Sequence, residues 1–297
     1  MSLAPRSGIS EPCPGMDHSK DHMNNLDAEV VDDFGAEWSR FDQSALSDAE
    51  KAAIFERYFA VFPWNDLPAN AEGFDLGCGS GRWASLAARR VGILHCIDPA
   101  ASALAVARRN LAGQANTRFH DAGVGAIPLA DRSMDFGYSL GVLHHVPDTA
   151  AGLASCVAKL KPGAPFLLYL YYALDNKPGW YRLIWRMSDG VRRAIAVLPR
   201  PLKFFTCQII AAAVYWPLAR SAWVLEKLGA DISNLPLAAY RHNSFYSMRT
   251  DALDRFGTRL EQRFTRSQIA AMMTAAGLKD VVFSEGPPFW CAVGRRA

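Results

Sequence analysis

Between Gly73 and Tyr172 short apolar runs alternate with helical segments, and this rhythm restricts the fold more than any other feature of the chain. The runs are GFDL, ILHCI, TRFH, MDFGYSL (Met134 to Leu140) and PFLLYLYY. Between them lie RWASLAARR, closed by Gly92, then PAASALAVARRNLAG, with proline at its start and glycine past its end, then TAAGLASCVAKLKPG, with Asp148 as its N-cap. Such β-α alternation with short connections implies an α/β fold, a mostly parallel sheet with helices on both faces. Ligands in open sheets of this kind bind outside the carboxyl ends of the strands. Asp75–Gly81, Asp98, Asp121 and Ser139–Gly141 all fall at or just after strand ends, so four signals converge on one edge.

Elements flank this core. SDAEKAAIFERYFAVF opens with a Ser47-x-x-Glu50 capping box, continues with Ile54, Tyr58 and Val61 at helical spacing, and meets Pro63, which ends it. The rhythm stops at Ala173. It resumes in TRSQIAAMMTAAGLKDVVFSE, with a Thr265-x-x-Gln268 capping box and Gly277 as C-cap; the turn GPPF and the strand WCAVGRR follow. Two strands joined by a tight turn suit an antiparallel edge on a parallel sheet. The expected organisation is a disordered tail over 1–29, N-terminal helices and a ligand-binding core over 30–172, a largely helical lid over 173–250, and a C-terminal helix and hairpin over 251–297 that complete the core.

Composition narrows the function classes. A chain of 297 residues with 50% hydrophobic content can bury a sizeable core. Its net charge of +3 is too weak to imply nucleic acid. Six cysteines form neither a CxxC pair nor zinc spacing, so no metal site is expected, and reduced thiols in a cytoplasmic protein are the reading. No signal-peptide run opens the sequence.

The stretch DLGCGSGRW places glycines at 77, 79 and 81 after the first apolar run. The triphosphate-binding GxxxxGK pattern is absent. A dinucleotide loop prefers GxGxxG, and its third glycine would fall on the bulky Arg82. The observed spacing, with Asp75 two residues before Gly77, resembles the first motif of the class I S-adenosylmethionine-dependent methyltransferases of small-molecule type, over roughly Gly73 to Tyr172 and the C-terminal helix and hairpin. That resemblance implies a Rossmann-like fold and S-adenosylmethionine as cofactor. It assigns the amino-acid part of the cofactor to the bare backbone of Gly77, Cys78, Gly79 and Gly81, its ammonium to Asp75, and the ribose hydroxyls to Asp98 beside Pro99. Asp121 and Ala122 would hold the adenine, Leu140 would line the methyl-donor pocket, and Trp38 would close the cofactor site. Each acid taken singly is equally a solvated loop residue or a helix cap; their joint order carries the assignment.

Methyl transfer from a sulfonium is an in-line displacement in which positioning can supply much of the catalysis, and a base helps only when the acceptor loses a proton. His144 and His145, just after the fourth strand, and His242 are the candidate bases; each has packing beside the cofactor or ordinary structure as its plainer role. Tyr171 and Tyr172 point to opposite faces, and substrate contact by one of them or core packing is equally expected. The DNA-type motif Asp/Asn-Pro-Pro-Tyr/Phe is missing after the fourth strand, where SLGV stands, so a small-molecule acceptor, apolar or anionic, is expected and nucleic acid is not. The alternatives are an NAD-dependent dehydrogenase and a non-catalytic cofactor-binding protein.

The insertion is unusual. Between Lys177 and Arg220 stand eight basic residues and the single acid Asp189. The uncharged stretch FFTCQIIAAAVYWPLA is shorter than a membrane span and is interrupted by Pro217. A buried lid helix or a homodimer contact is one expectation. Peripheral contact with an anionic membrane, or admission of an apolar acceptor, is the other.

Overall fold

The structure, a computed structural model, describes residues 25–297. The expected tail lies outside the described residues up to position 24, and Ala28 already begins a helix. The strands are β1 (Glu72–Leu76), β2 (Ile93–Asp98), β3 (Thr117–Asp121), β4 (Phe136–Leu140), β5 (Pro165–Tyr169), β6 (Leu278–Phe283) and β7 (Cys291–Arg296). They form one sheet in the order β3-β2-β1-β4-β5-β7-β6. The first five are parallel, and β7 inserts antiparallel between β5 and β6. This is the Rossmann-like architecture expected, with its antiparallel C-terminal pair.

The helices are α1 (Ala28–Arg40), α2 (Asp48–Tyr58), α3 (Ala84–Ala87), α4 (Ala101–Asn110), α5 (Thr149–Lys159), α6 (Gly179–Ala196), α7 (Arg200–Ile210), α8 (Trp216–Lys227), α9 (Phe245–Gly257) and α10 (Arg266–Ala275). Alternation along the strands separates two cores. Phe74 and Leu76 face α5 and α10 through Leu153, Val157, Ile269 and Met273. Phe136 and Tyr138 face the other way, toward Phe55, Phe59, Ala84 and Leu104. Asp148 caps α5 by accepting from Ala151 N at 2.9 Å, and the Thr265–Gln268 capping box closes in both directions.

Three sequence expectations change. The Ser47 box is half formed: Ser47 accepts from Glu50 N, but the Glu50 carboxylate turns to α9 and accepts from Ser244 N at 2.8 Å and Ser247 Oγ at 2.7 Å. Pro217 does not interrupt its helix. A π-helical turn, Ala211–Tyr215, precedes it and relaxes the ladder where proline cannot donate, so α7 and α8 form one run, Arg200–Lys227. That run is long and apolar enough by length and composition to cross a membrane. Its inward stripe Cys207, Ala211, Tyr215 and Ala219, however, packs with Ile195 of α6 and with Met248, Ala252 and Phe256 of α9. Thirdly, because α9 closes this cluster, the helical cap extends to Gly257 rather than ending at 250.

Candidate active site

The glycine loop is held by the end of β2: the Gly77 and Cys78 amides donate to Ile97 O at 2.8 and 3.1 Å. Gly77, Gly79 and Gly81 all have positive φ, at 75°, 53° and 75°. A Cβ at Gly77 would lie 2.3 Å from Val142 Cγ2, and one at Gly79 2.9 Å from Trp38 Nε1. Glycine is therefore required at both positions, by dihedral and by space. At the end of β2, Asp98 Oδ2 accepts from Gly79 N at 2.8 Å and Oδ1 from Ala100 N at 2.9 Å. Burial pushes the Asp98 carboxyl up to about 6, the two amide bonds hold it down, and the Asp121 carboxylate adds to the rise. Burial pushes Asp75, only 2% exposed, up to about 8.

A cavity of about 260 Å³ runs from this loop to the helical cap. Gly77, Asp98, Pro99, Val124, Leu140 and Trp38 line it, with Tyr58, Arg82, Tyr169, Tyr171 and Tyr240. Helix α9 contributes Ser247, Thr250, Asp251 and Asp254, spaced so that all four share one helix face. His145 Nδ1 lies 2.6 Å from Leu260 O, which can only accept, so Nδ1 carries the hydrogen and Nε2 offers a lone pair. Nε2 stands 3.8 Å from Asp254 Oδ1, and neither atom has a hydrogen-bond partner. The Tyr171 hydroxyl donates to Asp254 Oδ2 at 2.7 Å. Burial lowers His145 to about 4. Burial raises Asp254 to about 7, opposed by the Tyr171 hydrogen bond and Arg82 and reinforced by Asp251 and Glu261.

Of the residues singled out in the sequence, Trp38, Gly77, Asp98, Pro99, Leu140 and His145 line the cavity. Asp75 and the Cys78 side chain are buried in the sheet behind the loop. Gly79 lies under the Trp38 indole, and Gly81 faces Leu111 and Ala107 of the α4 segment. Asp121 is exposed and Ala122 packs on the core; neither lines the cavity, because β3 is the edge strand of the sheet. Two histidines need correction. His144 is wholly buried, stacked on Tyr171 with ring centroids 3.9 Å apart, outside the cavity wall. His242 has a 59% exposed side chain 3.1 Å from Glu226 on α8, so it belongs to the cap surface. Tyr171 lines the cavity while Tyr172 packs on Phe289, as alternation requires. Sequence reasoning missed Tyr58, Arg82, Tyr169, Asp251 and Asp254. The signal for the last two was available: polar residues at 247, 250, 251 and 254 repeat with the period of one helix face.

A family model described as a methyltransferase domain matches residues 74–168. The ubiquinone biosynthesis O-methyltransferase of Paracidovorax citrulli is 32% identical over 175 residues, 56% of this chain and 71% of that protein. Among solved structures, the S-adenosylmethionine-dependent methyltransferase SibL in its apo form superposes with a TM-score of 0.50 at 14% identity, over 84% of this chain and 56% of SibL. A methyltransferase from Bacillus halodurans gives 0.48 at 15% identity, over 78% and 72%.

Proposed function

Because this chain belongs to the class I S-adenosylmethionine-dependent methyltransferases, we propose that it methylates a hydroxyl oxygen of an uncharged small molecule held between the glycine loop and α9. Family membership makes the protein an enzyme that uses S-adenosylmethionine, and it sets aside the dehydrogenase and the non-catalytic alternatives. The residues fit that cofactor. Gly77 presents bare backbone, and both Asp98 oxygens keep a lone pair beyond their amide bonds, suited to two ribose hydroxyls. When bound, the cofactor supplies a methyl group already activated on a sulfonium. The chain's own work is to position: Asp98 and Pro99 hold the nucleoside, Leu140 and Val124 wall it, and Trp38 covers the loop.

The observation that carries the acceptor class is the single cavity joining Asp98 to the polar face of α9. Asp251 and Asp254 stand there against one guanidinium, that of Arg82, which disfavours an anionic acceptor and suits a hydrogen-bond donor. The relative's name, an O-methyltransferase, agrees. Incubation with methyl-labelled S-adenosylmethionine and a panel of phenols, catechols and amines tests this. O-methyl products are expected; transfer to amines alone overturns the oxygen assignment.

The cap supports a second, finer part of the proposal, contact with an anionic membrane. All large exposed apolar side chains among the described residues, Phe245 and Val282 excepted, lie between Trp180 and Leu228. On α6, Trp180, Leu183, Ile184, Met187 and Val191 form an outward stripe, with Met187 70% exposed. The most exposed charged residues over 179–228 are basic, Arg182, Arg186, Arg193, Arg200 and Lys227; Arg200 is paired with Asp32 and Asp33, and the acid Glu226, with a side chain 37% exposed, pairs with Arg241. Apolar stripes edged mainly by cations match an anionic bilayer surface. Co-sedimentation with anionic but not neutral vesicles is expected, weakened by salt and by Arg182→Ser with Arg186→Ser. No binding at low salt, or a stable dimer that covers this face, overturns it.

A further inference from the structure

We propose that Asp254 Oδ1, set against the bare Nε2 of His145, is the proton-accepting site for the acceptor hydroxyl. The inference rests on the hydroxyl-acceptor reading above and adds a residue from the cap to the chemistry. Three observations carry it. Both residues line the cavity, the two atoms are buried without a hydrogen-bond partner, and they stand 3.8 Å apart, so one donor hydrogen between them could serve either. Tyr171 fixes the carboxyl by donating to Oδ2, which leaves Oδ1 as the working oxygen. Leu260 O fixes the imidazole tautomer, which leaves Nε2 as an acceptor.

The step balances. The acceptor O–H bond breaks and its proton passes to the Asp254 carboxylate. The oxygen electron pair bonds the methyl carbon, and the methyl–sulfur electrons return to sulfur. A neutral ether, a neutral thioether and a neutral carboxyl result. The imidazole holds the donor hydrogen in line and stays neutral, since burial disfavours its charged form. The groups facing Asp254 are Tyr171, Asp251 of its own helix, Glu261 from the following loop, Arg82 from the glycine loop, His145 from the end of β4, and Glu37 of α1. Arg263, its guanidinium 5.0 Å from the Tyr171 ring centroid, pairs with Glu261 at 2.7 Å; burial is the largest cause of the rise, Asp251 and Glu261 add to it, and Tyr171 and Arg82 oppose it, so the carboxyl titrates near neutrality.

Asp254→Asn keeps the shape and an oxygen for Tyr171. Infrared difference titration of the purified protein between pH 5 and 9 reads the carboxyl directly, without an acceptor. Asp75 and Asp98 contribute bands common to both proteins, so the wild-type-minus-variant spectrum should isolate a protonated-carboxyl band that disappears through about pH 7. With 4-methylcatechol as probe and labelled S-adenosylmethionine, wild-type turnover should rise through the same pH. Asp254→Asn should be about 100-fold slower, with unchanged calorimetric affinity for S-adenosylhomocysteine as the check on folding. No such band in the wild-type-minus-variant spectrum, or turnover within threefold of wild type, overturns the proposal. Absence of transfer to 4-methylcatechol by the wild type, with the band present and lost in the variant, overturns the hydroxyl reading and leaves the proton site supported.

Discussion

Asp98 concentrates the cofactor argument in one side chain. Its carboxylate already accepts two loop amides and has lone pairs left for a ligand, so Asp98→Ala removes charged hydrogen bonds and loosens the loop together. Calorimetry should show S-adenosylmethionine affinity falling ten- to a hundredfold, the equivalent of about 1.5–3 kcal/mol; unchanged affinity with an intact fold refutes the role. Its carboxyl is raised to about 6, so the ionised acceptor fades below that pH, and wild-type affinity should drop between pH 7 and 5. Gly77→Ala meets both a positive φ and the Val142 side chain. It should abolish measurable cofactor binding while the protein stays folded, a result checked by calorimetry beside circular dichroism. These positions were legible in the sequence because strand ends and alternate glycines are local signals. The polar helix face that carries Asp254 was legible in the same way, but its pairing was not, because its partners Tyr171 and His145 come from distant segments that only the folded chain brings together.

At the scale of elements, Glu50 shows how a local motif is taken over by tertiary contact. The capping box Ser47-x-x-Glu50 is written in four residues, yet the Glu50 carboxylate caps α9 instead by receiving Ser244 N and Ser247 Oγ. Glu50→Ala should therefore destabilise α9 more than α2, by about 1–2 kcal/mol. Hydrogen exchange should show faster amides at Ser244–Met248 and little change over Asp48–Tyr58; the reverse pattern would return Glu50 to its own helix. Arg192 is a second case. Its sequence context, a basic run, marks it as surface, but it is 5% exposed, bonded to Asp189 Oδ1 at 2.7 Å and Thr258 O at 2.9 Å. Arg192→Ala should lower the melting temperature markedly, since it leaves Asp189 without its buried partner. Arg193→Ala, at a 73% exposed side chain, should leave it nearly unchanged. The sequence marked 173–250 only as a largely helical insertion; where its helices lie and which face each turns inward depend on the neighbours they meet.

For the whole molecule, burial of titratable groups around one cavity sets a pH profile of stability. Asp75, Asp98 and Asp254 have carboxyls raised to about 8, 6 and 7, so the native state holds their protons more tightly than the unfolded chain does. The stabilisation they contribute is present at low pH and is lost as pH rises through those values. His144 and His145 are lowered, so their contribution is present above about 6.5 and is lost as pH falls. Three raised carboxyls outweigh two lowered imidazoles across this range, so the ligand-free melting temperature should fall as pH rises from 5 to 9, and Asp254→Asn should flatten the fall; a melting temperature that rises from pH 5 to 7 contradicts this balance. By itself the sequence determined the β-α rhythm, the glycine loop, the caps and hence the fold and its cofactor edge, because those depend on residues near one another in the chain. Only the tertiary structure decided the strand order that leaves Asp121 on an edge strand, and the meeting of α9 with His145 and Tyr171. It alone decided which cap residues turn outward. Each of these depends on surfaces buried between segments far apart in sequence, where packing rather than local propensity selects the arrangement.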